Sequence, residues 1–329
     1  MLLSIIVPVY DRPQEINELL ESLMQPDINL VEIIVVEDGS TTLCDDICNN
    51  YLDKLNIRYY FQNNTGPGLA RNNGADKANG EYLLFLDSDC IAPVDFISNL
   101  LTDIKVQTPD CWGGPDAAHP SFTTKQKAIN YSMTSLLTTG GIRGSKKAAD
   151  KFYPRSFNMG VKKEVFKKMN GFADIRFGED LDLSMRILEA GFKTQLFETH
   201  FVYHKRRNTF KSFFKQVYNS GKARIFLNNR HKGSLKLVHL LPTLFFLYSL
   251  VGFPLAMVFP KAIFIILIPA MIFYIDAFSK THSIRVAGYA IIASYTQLCG
   301  YGIGFIDGAI SHLLKTKNQY RFKKSFYKE

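Results

Sequence analysis

Between Glu198 and Asp276 this chain has no acidic residue at all. The same interval holds Lys205, Arg206, Arg207, Lys211, Lys215, Lys222, Arg224, Arg230, Lys232 and Lys236, all ahead of an apolar run that begins near Leu237. A basic stretch leading straight into lipid-length apolar segments favours a surface that meets anionic lipid over one that binds nucleic acid. Cysteine is scarce too: Cys44, Cys48, Cys90, Cys111 and Cys299 form no CxxC pair, and their odd number excludes a fully paired disulfide framework. They are expected to be reduced, buried thiols. Tryptophan occurs once, at Trp112. The start, Met-Leu-Leu-Ser, has neither a basic n-region nor a small-residue cleavage site, so no secretory leader is expected. No internal repeat or low-complexity segment is evident.

What is present divides the 329 residues into two kinds of region. The hydrophobic fraction of 47% is ordinary for a globular protein, but apolar residues crowd into 237–310. Ahead of that, strand and helix patterns alternate. Leu2 to Val9 is a β-branched-rich run, and Asp11-Arg12-Pro13 suits a helix start with Asp as cap and an early proline. Ile16, Leu19, Leu20, Leu23 and Met24 recur at helical spacing, and Val31 to Val36 reads as a second buried strand. An amphipathic stretch from Leu43 to Leu55, a strand from Ile57 to Phe61, a helix near Leu69 to Ala78 and a strand from Tyr82 to Leu86 follow. This alternation predicts an α/β fold with parallel strands. Residues 111–201 are less regular and are expected to form a second half closing over the sheet edge.

In open α/β sheets ligands bind beyond the carboxyl ends of the strands. Tyr10-Asp11, Glu37-Asp38-Gly39 and Asp87-Ser88-Asp89 would all gather there, although they are far apart in sequence. Two carboxylates on a short turn can hold a hard cation through oxygen, with Mg²⁺ or Mn²⁺ the natural guest. By itself such a pair is weak evidence, because solvated turn aspartates are common; its place after an apolar strand, with a second acidic strand end at Asp38, strengthens it.

Five segments carry a resemblance. Ser-Ile-Ile-Val-Pro-Val-Tyr (4–10), Val-Glu-Asp-Gly-Ser (36–40), Gly-Leu-Ala-Arg-Asn (68–72), Gly-Glu-Tyr-Leu-Leu-Phe-Leu-Asp-Ser-Asp (80–89) and Gly-Glu-Asp-Leu-Asp-Leu-Ser-Met-Arg (178–186) resemble, in order and spacing, family 2 inverting glycosyltransferases of the GT-A fold. The resemblance implies a mixed sheet flanked by helices and a nucleotide-diphosphate sugar as donor, with UDP favoured. It implies a base pocket lined by Pro8 and Tyr10 with Asp38 reading the base edge, Arg71 near the diphosphate, and Asp87, Ser88 and Asp89 serving ribose and metal. Asp89 is the more direct metal ligand, joined by Asp87 and by His204. Asp180 is implied as catalytic base, since one positioned carboxylate suffices when attack and departure occur on opposite faces of the sugar. Glu179, beside it, is read as favouring the helix dipole. Asn158 falls where the family's pattern meets the donor sugar.

Processive members of that family carry a Gln-x-x-Arg-Trp element; here Gln216-Val217-Tyr218-Asn219-Ser220 stands in the corresponding region. Addition of one sugar at a time to a lipid-linked glycan or polyprenyl phosphate at the membrane is therefore expected. Two other classes compete. A nucleotide-dependent oxidoreductase fails because Arg71 occupies the third glycine position of its loop; a non-catalytic scaffold is disfavoured because every acidic position needed for chemistry is present.

The expected plan is a GT-A domain over 1–225, a basic juxtamembrane segment over 226–236, membrane helices over 237–312 and a basic cytosolic tail over 313–329. Leu237 to Phe259 is long enough, at ~1.5 Å per residue, to cross a ~30 Å hydrocarbon layer. Ala262 to Ile275, bounded by Lys261 and Asp276, is expected to span only with help from its flanks or to lie re-entrant or interfacial. Val286 to Ile306 is uncharged, and Gly288, Gly300, Gly302 and Gly304 within it are expected to permit close helix packing. Positive charge before Leu237 and at Lys317, Arg321, Lys323, Lys324 and Lys328 implies an even number of crossings, most simply two, with the catalytic domain on the cytosolic side of the inner membrane.

Overall fold

The computed structural model describes residues 2–139 and 152–314. Its elements begin with β1 (Leu3–Val9), α1 (Pro13–Ser22), β2 (Val31–Asp38), α2 (Asp45–Asn49), β3 (Ile57–Gln62), α3 (Pro67–Lys77), β4 (Tyr82–Leu86), β5 (Cys90–Ile91) and α4 (Phe96–Gln107). Next come β6 (Cys111–Gly113), β7 (Asp116–Ala117), α5 (Thr124–Thr134), α6 (Leu136–Thr139), β8 (Asn158–Lys162), α7 (Lys163–Lys168), α8 (Glu179–Glu189), β9 (Thr194–Leu196) and β10 (Val202–His204). The chain continues through four helices, α9 (Phe210–Arg230), α10 (Leu241–Val258), α11 (Ile263–Thr281) and α12 (Ile284–Leu313). Among the described residues, 2–117 with 152–204 form one compact unit and 118–139 with 205–314 form another.

The first unit is built on a seven-stranded sheet of order β3-β2-β1-β4-β8-β6-β9. β1 pairs in parallel with both β2 and β4, whereas β8 runs antiparallel to β4 and β6. Because side chains alternate along a strand, Ile5 and Val7 enter one core while Ile6 enters the other, and Ile33 and Val35 part from Ile34 and Val36 in the same way. Both faces are thus covered, which explains why β1 and β2 read as continuous apolar runs. Truncating a fully buried residue such as Ile6 to Ala would cost ~2–5 kcal/mol. α3 lies close to the sheet at Gly74, where an added Cβ would come within 2.5 Å of Ile6 Cγ2.

Three expectations change here. Asp11 does not cap α1: Arg12 is the N-cap, without a side-chain bond, and Pro13 supplies the preset φ at the first turn. The Asp11 carboxylate instead accepts from Thr41 N (2.6 Å), Thr41 Oγ1 (2.8 Å) and Thr42 N (3.0 Å), tying the loop after β1 to the loop after β2. The amphipathic run after Leu43 yields only the five-residue α2, followed by turns. The described residues of 111–201 are not all a cover over the sheet edge, because β6, β8 and β9 extend the sheet itself. Their strands are three to five residues long, too short for periodicity to register. A small sheet of order β5-β10-β7 completes the unit and sets His204 opposite Cys90.

In the second unit α9 packs along α12, and glycines make the approach possible. A Cβ at Gly304 would lie 1.9 Å from the Tyr218 carbonyl oxygen, and one at Gly221 would lie 2.1 Å from that of Tyr301. Gly300 meets Val217 and Gly302 meets Pro242 of α10, but Gly288 has nothing within 4 Å and takes no part. Two helical stretches, Leu237–Val258 and Pro260–Thr281, are 22 residues each with mean hydropathy 1.8 and 2.2, long and apolar enough to cross a membrane. The second is longer than expected because Asp276 does not end it. That carboxylate accepts from Tyr131 Oη (2.6 Å) and Lys280 Nζ (2.8 Å), so its charge is met inside the unit. The tail lysines and Arg321 invoked for topology lie outside the described residues.

Candidate active site

The site forms where β1, β2 and β4 end. Pro8 lies in β1 and Tyr10 just beyond its end, both half-buried, with Pro8 in register with Val36 and Val9 with Glu37. Asp38 ends β2 almost fully buried, and its oxygens are well used. Oδ1 accepts from Gln62 Nε2 (2.7 Å) and Thr65 N (2.8 Å), and Oδ2 accepts from Gly66 N (2.8 Å). Asp38 therefore fixes the loop that opens α3. Its neighbour Glu37 closes the turn, accepting from Ser40 Oγ and from Cys44 N.

Asp87 and Asp89 are partly open on their turn, while Ser88 is buried at 5% exposure. Arg71, on α3 and 3% exposed, donates to Asp87 Oδ1 at 2.6 Å and to Glu179 Oε1 at 3.2 Å, and it stands over the Phe172 ring. One guanidinium thereby joins the end of β4 to the start of α8. Gly178, at φ +80°, takes the left-handed turn that starts that helix. Burial and the adjacent Asp180 push the Glu179 carboxyl up, against the pull of Arg71, to about 7. Glu179 is thus half of a salt-bridge strut, a role that the reading as a helix-dipole residue missed. Asp180 is buried at 8%, and its Oδ2 meets Arg155 Nε at 2.8 Å.

His204 reaches the turn from β10. Its Nε2 lies 3.1 Å from Asp89 Oδ1 and 3.8 Å from Asp87 Oδ2, and its ring stacks on Phe157 with centroids 4.9 Å apart. Arg12 holds the other Asp89 oxygen, Oδ2. Burial alone would raise the Asp89 pKa, but His204 and Arg12 together hold it far below the usual carboxylate range.

Asp89, Cys90 and His204 offer ligand atoms that all lie within 4.8 Å of one another. Cys90 fits a hard cation poorly, since burial keeps it a thiol, donating to the Phe157 carbonyl at 3.4 Å. Asp89 and His204 fit well. Two adjacent ligands of a six-coordinate ion at ~2.1 Å stand roughly 3 Å apart, and the Asp89 Oδ1 to His204 Nε2 gap is 3.1 Å. Asp89 Oδ1 and His204 Nδ1 are also buried without a hydrogen bond of good geometry. Asp87, carried by Arg71, borders the pair.

Asn158 is spent elsewhere: it is 1% exposed and donates to the His200 carbonyl at 2.7 Å. Trp112 lies in the core, stacked on Phe197. Sequence reasoning missed Arg12, Arg155 and Phe157. Arg12 could have been suspected from its place two residues after Tyr10; nothing in the sequence marks the other two.

A parallel sheet extended by antiparallel β8, with acidic turns at the ends of β2 and β4, defines a GT-A-type α/β unit. The chain belongs to glycosyl transferase family 2, whose family model matches residues 4–169. An uncharacterized glycosyltransferase of Haemophilus influenzae is 41% identical over 100 residues, 30% of this chain and 38% of that protein. The uncharacterized glycosyltransferase EpsJ of Bacillus subtilis is 26% identical over 216 residues, 63% of this chain and 62% of that protein. The chain thus spans less than two thirds of either relative. Among solved structures, the mannosyltransferase PcManGT of Pyrobaculum calidifontis, in complex with GDP-Man and Mn²⁺, superposes with TM-score 0.60 at 15% identity. The superposition covers 96% of this chain and 88% of that one, and shows a shared fold.

Proposed function

We propose that this protein transfers a single sugar, with inversion, from a nucleotide-diphosphate sugar to a membrane-presented acceptor such as a lipid-linked glycan or polyprenyl phosphate. The observation that carries the reading is the meeting of Asp87, Asp89 and His204 at one turn, with Arg71 linking that turn to Glu179 beside Asp180. The GDP-Man and Mn²⁺ named for the mannosyltransferase of like fold are the donor class and ion type this arrangement suits. UDP remains the favoured nucleotide, and Mg²⁺ an alternative ion.

Asp89 and His204, with Asp87 alongside, would hold the divalent cation, which when bound supplies positive charge against the departing diphosphate. Pro8 and Tyr10 line the base pocket. Asp38, by pinning Thr65 and Gly66, keeps the loop before α3 in shape, and we assign it the base edge. Arg71 fixes Asp87 relative to α8, and we assign Ser88, buried in the turn between Asp87 and Asp89, to the donor site with them. Asp180 takes the proton of the acceptor hydroxyl. The hydroxyl oxygen bonds to the anomeric carbon as the bond from that carbon to the diphosphate oxygen breaks, and a nucleoside diphosphate leaves. Inversion follows because the base and the leaving group act on opposite faces.

For the wider plan, we assign donor chemistry to 1–225, the basic approach to 226–236, membrane attachment to 237–312 and a cytosolic basic tail to 313–329. The two apolar helices and the acid-free stretch before them support an inner-membrane protein with its catalytic domain on the cytosolic side. Screening nucleotide sugars with Mn²⁺ for a rise in melting temperature tests the reading, since a ligand that binds only the folded state stabilises it. A donor that stabilises the chain and is consumed with a membrane extract is the expected result. Stabilisation by no nucleotide sugar in the presence of either ion would overturn it.

A further inference from the structure

The donor turn carries two arginines placed very differently. Arg71 is 4% exposed in its side chain, bonded at both ends to Asp87 and Glu179 and set over Phe172. Arg12 is 29% exposed, stands at the head of α1 where it makes no capping bond, and grips Asp89 Oδ2. Arg71 is a strut, whereas Arg12 can leave. Arg12 thus occupies Asp89 Oδ2 while His204 Nε2 stands 3.1 Å from Oδ1, so a cation held by these two residues would share the carboxylate with the guanidinium. A guanidinium and a divalent ion on one partly buried carboxylate repel each other, and solvent screens that repulsion weakly.

We propose that Arg12 is a mobile cation of the donor site, competing with the divalent ion for Asp89 and passing to the donor diphosphate when the ion binds. The inference rests on the metal-dependent reading given above. The guanidinium's planar fork suits two phosphate oxygens as well as it suits a carboxylate, so the bond lost at Asp89 has a replacement of the same kind. Arg12 thereby keeps the acidic turn neutralised until the donor arrives, and favours the ion and the diphosphate binding together over the ion binding alone.

The test uses the full chain in detergent and measures two affinities, for Mn²⁺ alone by electron paramagnetic resonance and for UDP and GDP at saturating Mn²⁺ by calorimetry. Arg12→Ala and Arg12→Gln are compared with wild type, the second retaining a neutral donor to Asp89 so that folding is protected. Asp89→Ala serves as the reference for the metal site. Both Arg12 variants are expected to bind Mn²⁺ alone about tenfold more tightly and the diphosphate about tenfold more weakly, the scale of one charge-assisted hydrogen bond. Mn²⁺ affinity equal to or below wild type in both variants, or diphosphate affinity unchanged, overturns the role of Arg12. If Asp89→Ala itself binds Mn²⁺ like wild type, the fault lies in the metal-dependent reading; loss in Asp89→Ala with unaltered Arg12 variants faults this inference alone.

Discussion

The Arg155 guanidinium stands 2.8 Å from Asp180 Oδ2, holding one oxygen of a carboxylate that is 8% exposed. A guanidinium in that place fixes the orientation of the carboxylate and leaves Oδ1 as the oxygen for the proton of the acceptor hydroxyl in the proposed reaction. Asp180→Asn should leave donor affinity within a factor of about two by calorimetry. Its turnover should fall by ~10²–10⁴, the usual contribution of a general base. Normal turnover in this variant would remove Asp180 from its role.

The proposed cation site depends most on Asp89, whose Oδ1 stands 3.1 Å from His204 Nε2. Asp89→Ala should abolish the part of donor binding that depends on Mn²⁺, and excess chelator should do the same to wild type. Both are read as loss of the nucleotide-induced rise in melting temperature. Donor binding that persists under chelation would count against a cation at this turn.

Glu179 makes stability depend on pH. Its folded pKa, about 7, is raised above the ordinary 4.5 by burial and Asp180, so the folded chain holds the proton more tightly than the unfolded chain. The contribution is therefore fully present below 4.5 and is lost as pH rises through about 7. The slope across that window is at most ~1.4 kcal/mol per pH unit. Glu179→Gln should flatten this part of the melting-temperature profile. A variant whose profile overlays wild type from pH 4.5 to 7 would contradict the shift.

The glycines of α12 should separate by position. Gly304→Val would drive its side chain into the Tyr218 carbonyl, 1.9 Å from the Cβ position, and is expected to lower the melting temperature sharply or prevent folding. Gly288→Ala, with open space around it, should be neutral or stabilising by ~0.5–1 kcal/mol. Equal effects of the two would show that α9 and α12 do not meet at Gly304.

Much of this was legible in the sequence because it is local. β4 was expected at Tyr82–Leu86 and lies there, since a short apolar run bounded by Gly-Glu and Asp-Ser-Asp has one comfortable conformation. α8 begins at Glu179, the residue read as favouring a helix dipole, with the left-handed Gly178 as its N-cap. The family motifs marked Asp38, Asp87, Asp89 and Asp180, and the run without acid marked the approach to the apolar helices. Only the tertiary structure decided what these groups touch. Arg12 on Asp89, Arg155 on Asp180 and Arg71 between Asp87 and Glu179 join residues that share no sequence period, and Asp38 pins Gly66 from across a strand crossover. The same holds for Gly304 and Gly288, alike as letters on one helix and opposite in packing. Periodicity reports which face a side chain takes, but the partner on that face is set by chain crossings that no local pattern encodes.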